Sequence, residues 1–269
     1  MLDIQRLVYR FQAERPLRLN MGMPTVGLRG TFGYALAHVL ATDSTLCREQ
    51  DRIDLFRELF SPALPDSQDG ANTPPRPFVV RGGFVDDSRA ALIMELLLFG
   101  RAVPFEPLVD EVVETMAARG LGGAPGEGEI CGVEKLESTT EHPVFPDSDR
   151  LVVEFMTPTR IKVQKEMCLN EIPFSALIAR LYDRFAHLAG FCGGDPEYAD
   201  DNRSEWRARG RDLVEKAQQV LSMKLDGEPV GVRRRSTRTG DTCRLDGFTG
   251  RMLYQGNFAP FSEILAHLP

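Results

Sequence analysis

Residues 4–13, Ile4-Gln5-Arg6-Leu7-Val8-Tyr9-Arg10-Phe11-Gln12-Ala13, alternate in polarity. Leu7, Tyr9, Phe11 and Ala13 fall on one face; Arg6, Val8 and Arg10 fall on the other. Period two with one apolar face is the pattern of a half-buried strand. Pro24 and Gly27 then lead into Leu28, Phe32, Ala35, Leu36 and Val39, a helical stripe reaching about Thr42. Another amphipathic stretch, with Leu55, Phe56, Leu59 and Phe60, stops before Pro62, and residues 63–77 read as loop. Phe78-Val79-Val80 and Leu92–Phe99 are strand candidates. The second run is nearly continuous in apolar residues, so periodicity alone also fits a helix. Pro107 to Arg119 is a helix with Leu108, Val112, Val113 and Met116 inward, capped by Gly120, and a glycine-rich turn enters the strand Ile130–Leu136.

The second half repeats this order. Leu151–Met156 is a strand and Ile161–Met167 is extended. Helices follow at Phe174–Leu188 and Arg203–Met223, then strands at Pro229–Arg235 and Phe248–Tyr254, then a helix from Pro260. A polar, proline-broken linker at 138–149 divides residues 1–137 from 150–269. Two copies of a β-α-β-β-α-β pattern result, each sheet burying one face under two helices. The second copy stops one strand short. The final strand of such a unit pairs beside the first, so either the chain is clipped or another molecule covers that edge.

Composition bounds the function. The chain has 269 residues, 42% apolar and 26% charged, which excludes wholesale disorder and a collagen-like chain. No apolar run reaches the ~20 residues of a membrane span, and Met1 to Arg6 lacks the apolar core of a signal peptide. Five scattered cysteines without a Cys-x-x-Cys pair argue against a zinc ribbon and a disulfide framework, and for reduced thiols in a cytoplasm. A net charge of −7 argues against nucleic acid, but the average conceals a gradient. Residues 203–251 hold twelve Lys/Arg against seven Asp/Glu, so this segment is basic while the remainder is acidic. Arg233-Arg234-Arg235 is thus either part of a basic groove or a solvated strand end.

Several motifs occur in a telling order. They include Gly27-Leu28-Arg29-Gly30-Thr31-Phe32-Gly33, Cys47 with the Leu-Phe run after it, Pro74-Pro75-Arg76-Pro77-Phe78, and Leu97-Leu98-Phe99-Gly100-Arg101. Gly120-Leu121-Gly122, Met156-Thr157-Pro158-Thr159-Arg160-Ile161-Lys162, Arg235-Ser236-Thr237-Arg238 and Gly247-Phe248-Thr249-Gly250 follow, ending in Gly256-Asn257-Phe258-Ala259-Pro260-Phe261. In this order the chain resembles the CRISPR repeat-RNA (pre-crRNA) processing endoribonucleases of the RAMP superfamily. The resemblance implies an α+β fold of two tandem ferredoxin-like domains, the second lacking its last strand. It also implies metal-independent cleavage within the repeat, with no cofactor. In that chemistry a ribose 2′-hydroxyl attacks the adjacent phosphate, leaving a cyclic phosphate and a 5′-hydroxyl. The partners implied are CRISPR repeat RNA or crRNA and other CRISPR effector subunits, with no membrane. Members of the family usually continue into a glycine-rich loop and a last strand, and this sequence stops at Pro269.

Histidine suits the two proton transfers because its unperturbed pKa lies near working pH, and Lys or Arg suits charge on the phosphorus. His38 lies four residues after Tyr34, and at ~100° per residue the two share a face away from the apolar stripe, with Thr31 and Thr42. The resemblance implies a catalytic histidine in or near this helix, which makes His38, with Tyr34, the catalytic candidate; a solvated helix histidine is the plain alternative. His142 lies in the linker, His187 in a helix and His267 near the end of the sequence. Arg29 and Arg160 are placed at strand–helix junctions, where a guanidinium either reaches phosphate or pairs with a carboxylate. Arg233, Arg234, Arg235 and Arg238 straddle a strand end and are the remaining RNA-binding candidates. One Trp and five Tyr offer no evident stacking platform, favouring backbone and shape recognition. No ligand spacing for a metal is present. The alternatives are a non-catalytic RAMP subunit that binds guide RNA in an effector complex, and an acidic scaffold without an RNA role.

Overall fold

The alternation in residues 4–13 is β1 (Ile4–Ala13), which pairs antiparallel with β3 (Ala91–Phe99) and β4 (Ile130–Glu141). With β2 (Phe78–Phe84) the sheet runs in the order β2-β3-β1-β4. The structure, a computed structural model, describes residues 2–19, 24–42, 54, 59, 76–121, 128–141, 144, 145, 147–235 and 242–266. Cys47, most of the 55–60 stretch, the loop up to residue 75, His142, Arg238 and His267 lie outside the described residues.

Burial on both sides explains why the continuous apolar run of β3 is a strand. Leu92, Met94, Leu96 and Leu98 join Leu7, Tyr9 and Phe11 in one core, while Leu97 and Phe99 pack on the opposite side with Leu2, Ile4, Leu188 and Cys192. The first core lies under α1 (Pro24–Thr42) and α2 (Glu106–Arg119), through Leu28, Phe32, Leu36 and Val39 and through Val109, Val112, Val113 and Met116. Gly120, with φ +83°, stops α2, and Leu121 N–H donates to the Gly128 carbonyl at 2.8 Å to close the turn toward β4.

The chain divides into two units, Met1–His142 with His187–Ala199, and Pro143–Ala186 with Asp200–Pro269. The division differs from a single cut at 138–149 in two ways. Strand β4 continues to Glu141 because Ser138, Thr139 and Thr140 complete the ladder opposite Leu7, Arg6 and Gln5. Residues 187–199 join the first unit because Leu188 and Cys192 cover apolar side chains of β1 and β3.

The second unit is built on β5 (Arg150–Thr159), β8 (Leu221–Arg235) and β9 (Thr242–Gln255), in the order β5-β9-β8. A short hairpin, β6 (Lys162–Val163) and β7 (Glu166–Met167), follows β5. Helices α3 (Phe174–Phe191) and α4 (Arg203–Ala217) come next, and α5 (Ser262–Ala266) closes the described chain. Phe174 is the hub of the core, its ring centroid 5.1–5.4 Å from those of Tyr254, which is tilted to it, and of Phe258 and Phe261, which meet it edge to face. Helix α4 ends at Ala217, short of the expected Met223. Leu221, Met223 and Leu225 alternate with polar residues, and that stretch pairs with Gln255 to Arg251 as strand.

Both sheets follow one scheme. Numbering strands within each unit, the first reads 2-3-1-4 and the second 1-3-2, the antiparallel order of a β-α-β-β-α-β unit. The fourth place, along the outer edge of β5, holds no strand among the described residues.

Candidate functional site

Helix α1 carries the expected catalytic pair. Leu28, Phe32, Ala35, Leu36 and Val39 are buried, which turns the opposite surface of the helix outward. Tyr34 is 69% exposed, and His38, one turn on, is exposed beside it. The neighbouring hydroxyls are engaged by the helix itself. Thr31 donates to the Gly27 carbonyl at 3.0 Å and Thr42 to the His38 carbonyl at 2.8 Å. Arg29 sits inside α1 rather than at a strand–helix junction, because the helix begins five residues earlier, at Pro24. Nine residues separate it from His38, about 180° around the axis, so α1 does not bring Arg29 to the Tyr34–His38 face.

The remaining candidates are in the second unit. Strands β8 and β9 are 15 and 14 residues long, whereas β5 pairs with β9 only from Gln255 back to Phe248. Beyond Phe248 the two strands continue as a two-stranded arm. Arg233 stands opposite Arg244, Arg234 opposite Cys243, and Arg235 opposite Thr242. The register thus gathers Arg233, Arg234 and Arg235 of β8 and Arg244 of β9 at one end of the ladder. Arg160, exposed, follows β5 at the foot of this arm, where Thr159 pairs with Phe248.

Glycines shape the joint of the arm. Gly227 (φ +119°) and Gly250 (φ +136°) face each other across the ladder, next to the register shift between Lys224 and Asp226. A Cβ on Gly250 would lie 2.3 Å from the Gly227 Cα, so neither position has room for a side chain. Asp226 fastens the same point, accepting the Arg251 backbone N–H at 3.0 Å and its Nε at 2.7 Å, together with Nη2. That guanidinium holds the Asp226 carboxyl below the usual carboxylate range.

Two further ionic networks belong to the first unit. Glu95 accepts from Arg6 Nε at 2.6 Å and from Arg81 Nη2 at 2.7 Å, and Arg6 Nη1 also reaches Glu137 at 2.8 Å. Burial pushes the Glu95 carboxyl up, but the two guanidiniums outweigh it and hold it below its ordinary value. Elsewhere Lys135 Nζ donates to Glu106 at 2.6 Å and Asp110 at 2.9 Å, while Tyr9 Oη donates to Asp110 at 2.7 Å. Burial, and then Asp110, pushes the Tyr9 phenol well up, which keeps it protonated as a donor. These cations are spent on carboxylates. Arg6 was visible in the strand pattern; its partners, 89 and 131 residues away, had no signal in sequence.

The two units, with sheets ordered 2-3-1-4 and 1-3-2, define a protein of tandem ferredoxin-like domains with a basic arm on the second. One family model, the N-terminal domain AF_1859_N, matches residues 2–156, and another, CRISPR-associated endoribonuclease Cas6, matches residues 153–268. A solved structure described as a Cas6 (TTHB231) product complex shares the fold with a TM-score of 0.57 at 16% identity, covering 98% of this chain and 90% of that one. Two Cas6b crystal structures, at 11% and 12% identity, each cover 94% of this chain and 89% of theirs with TM-scores of only 0.31 and 0.28, and add nothing to that likeness. No curated protein sequence matches the chain. The AF_1859_N model spans more than half of the chain, which therefore belongs to that family, and residues 153–268 match the Cas6 endoribonuclease model, which supports a function in CRISPR RNA processing. Among the described residues, no helix is long and apolar enough to cross a membrane.

Proposed function

We propose that this protein cleaves CRISPR repeat RNA without a metal, by attack of a ribose 2′-hydroxyl on the adjacent phosphate. The reading rests on one observation above others: Tyr34 and His38 stand exposed, one turn apart, on the outward face of α1. The 2′-oxygen forms a bond to phosphorus as the bond to the 5′-oxygen breaks, giving a 2′,3′-cyclic phosphate. One proton leaves the 2′-oxygen and one is delivered to the departing 5′-oxygen. His38 serves one of these transfers, taking the first proton as neutral imidazole or giving the second as imidazolium. Tyr34 orients the same phosphate by donating a hydrogen bond. Arg160, the arm arginines Arg233, Arg234 and Arg235, and Arg238 hold the RNA backbone, and Arg29 adds positive charge on another face of α1. The protein works in the cytoplasm, a reading supported by its scattered thiols.

The test is incubation of the full-length protein with repeat RNA in excess chelator. Products ending in a cyclic phosphate and a 5′-hydroxyl support the reading. Binding without cleavage shifts the function to an RNA-holding subunit. Inhibition by chelator overturns the metal-independent mechanism.

A further inference from the structure

The β6–β7 hairpin is a two-residue turn whose two central residues, Gln164 and Lys165, have φ of +50° and +73°. Two-residue hairpin turns with positive φ at both central positions strongly favour Asn-Gly or a similar pair, because a side chain there is strained. Here neither is Gly or Asn. Strain of this kind persists where the surroundings hold it and gathers at functional positions.

The base of the hairpin is held firmly. Ile161 is 5% exposed within the core of the second unit, and its carbonyl accepts the Cys168 N–H at 2.8 Å. Arg180, projecting from α3, donates from Nη2 to the Lys162 carbonyl at 3.3 Å. The tip carries no core residue: Lys162, Val163, Gln164, Lys165 and Glu166 are all exposed.

Charge completes the case. Unlike Arg6, Arg81, Lys135, Lys216 and Arg251, which are bound to carboxylates, Arg160, Lys162 and Lys165 have no ion-pair or hydrogen-bond partner for their charged groups among the described residues. They project from six consecutive residues at the foot of the arginine-bearing arm, where the Pro158–Thr159 backbone lies against Gly247. A fixed base, a strained tip and unpaired cations beside a basic arm form a preorganised anchor for a polyanion.

We propose that this hairpin is a backbone clamp for the substrate RNA, with Lys162 and Lys165 binding successive phosphates on a track that Arg160 joins to the arm. The proposal rests on the RNA-processing reading above and names two residues and an element that reading does not use. Lysine suits the task because it is a point charge that holds a phosphate without dictating the base. The clamp therefore sets where the strand lies and leaves sequence choice to other groups.

The experiment compares the full-length protein with a Lys162→Ala/Lys165→Ala double variant, a Lys162→Arg/Lys165→Arg variant and a Lys165→Gly variant. Binding of repeat RNA and of an unrelated single-stranded RNA is measured across a salt series, alongside thermal unfolding and single-turnover cleavage. The alanine variant no longer neutralises two phosphates, so its log–log salt slope should fall by about 1.4 for single-stranded RNA. The fall should be alike for both RNAs, with unfolding unchanged, and the arginine variant should keep the parent slope. Lys165→Gly should weaken RNA binding while unfolding at a higher temperature, since it loses the charge and the strain together. A parent that cleaves repeat RNA, with an alanine variant of unchanged slope, overturns the clamp and leaves the RNA-processing reading standing. A parent that cleaves nothing, with a slope that still falls in the variant, overturns that reading and keeps the clamp. Failure to bind either RNA overturns both.

Discussion

His38 is the residue on which the proposed chemistry turns. A positioned acid or base contributes ~10²–10⁴-fold, so His38→Ala should slow single-turnover cleavage by that factor with RNA affinity close to the parent's. Tyr34→Phe should cost less, because the phenol orients the phosphate and moves no proton. A His38→Ala variant that cleaves at the parent rate sinks the assignment, and His187 becomes the next residue to test. Glu95 is a structural counterpart, binding Arg6 and Arg81 at once. Glu95→Gln should lower stability by about 1–3 kcal/mol in denaturant titrations. The native carboxyl titrates below its ordinary value of 4.5, so its contribution is complete above that pH and is lost as pH falls through the depressed native value. The gap in stability between parent and variant should accordingly close in acid. A gap independent of pH would show that the ion pair is not its source.

At the scale of elements, the joint between sheet and arm is the most sensitive point. Gly250→Ala places a methyl group against the Gly227 backbone in a conformation an L-residue rarely adopts. The cost should be at least about 1–3 kcal/mol, read as a lower unfolding midpoint. Because Gly250 also pairs with Phe155 of β5, the change would loosen β9 from the rest of the sheet. An unaltered midpoint would mean that the register shift between Lys224 and Asp226 absorbs the added group. Helix α1 behaves differently: Tyr34 and His38 lie outside its core stripe and stand exposed, so substitutions at either should leave the midpoint close to the parent's.

For the whole molecule, the relevant quantity is the distribution of charge rather than its sum. A protein of net charge −7 binds a polyanion only if its cations are gathered and free of carboxylates. Arg233→Ala with Arg235→Ala should weaken binding of every RNA alike and reduce the salt slope by about 0.7–0.9 for each phosphate no longer neutralised. Loss of affinity for the repeat alone, with binding of unrelated RNA intact, would instead make these arginines readers of sequence. Combined with the hairpin lysines, the slope changes should add, since each neutralised phosphate releases its own counterions.

The sequence by itself determined β1, α1, α2, the two-unit repeat and the positions of Tyr34 and His38 on one helical face, because each depends on local periodicity. It also exposed the basic segment, since charge is read directly. Only the tertiary structure decided that 92–99 is a strand, because the evidence is burial of its two sides by α1, α2 and distant residues such as Leu188 and Cys192. Periodicity overextended α4 to Met223 because polar helix and polar strand differ little there; pairing with β9 settled it. The assignment of 187–199 to the first unit and the carboxylate pairing of Arg6, Arg81 and Lys135 likewise depend on partners far away in the chain. The hairpin at Gln164–Lys165 was invisible for the opposite reason. Its residues break the local rule for such turns, and only the anchoring by Ile161, Cys168 and Arg180 holds them there.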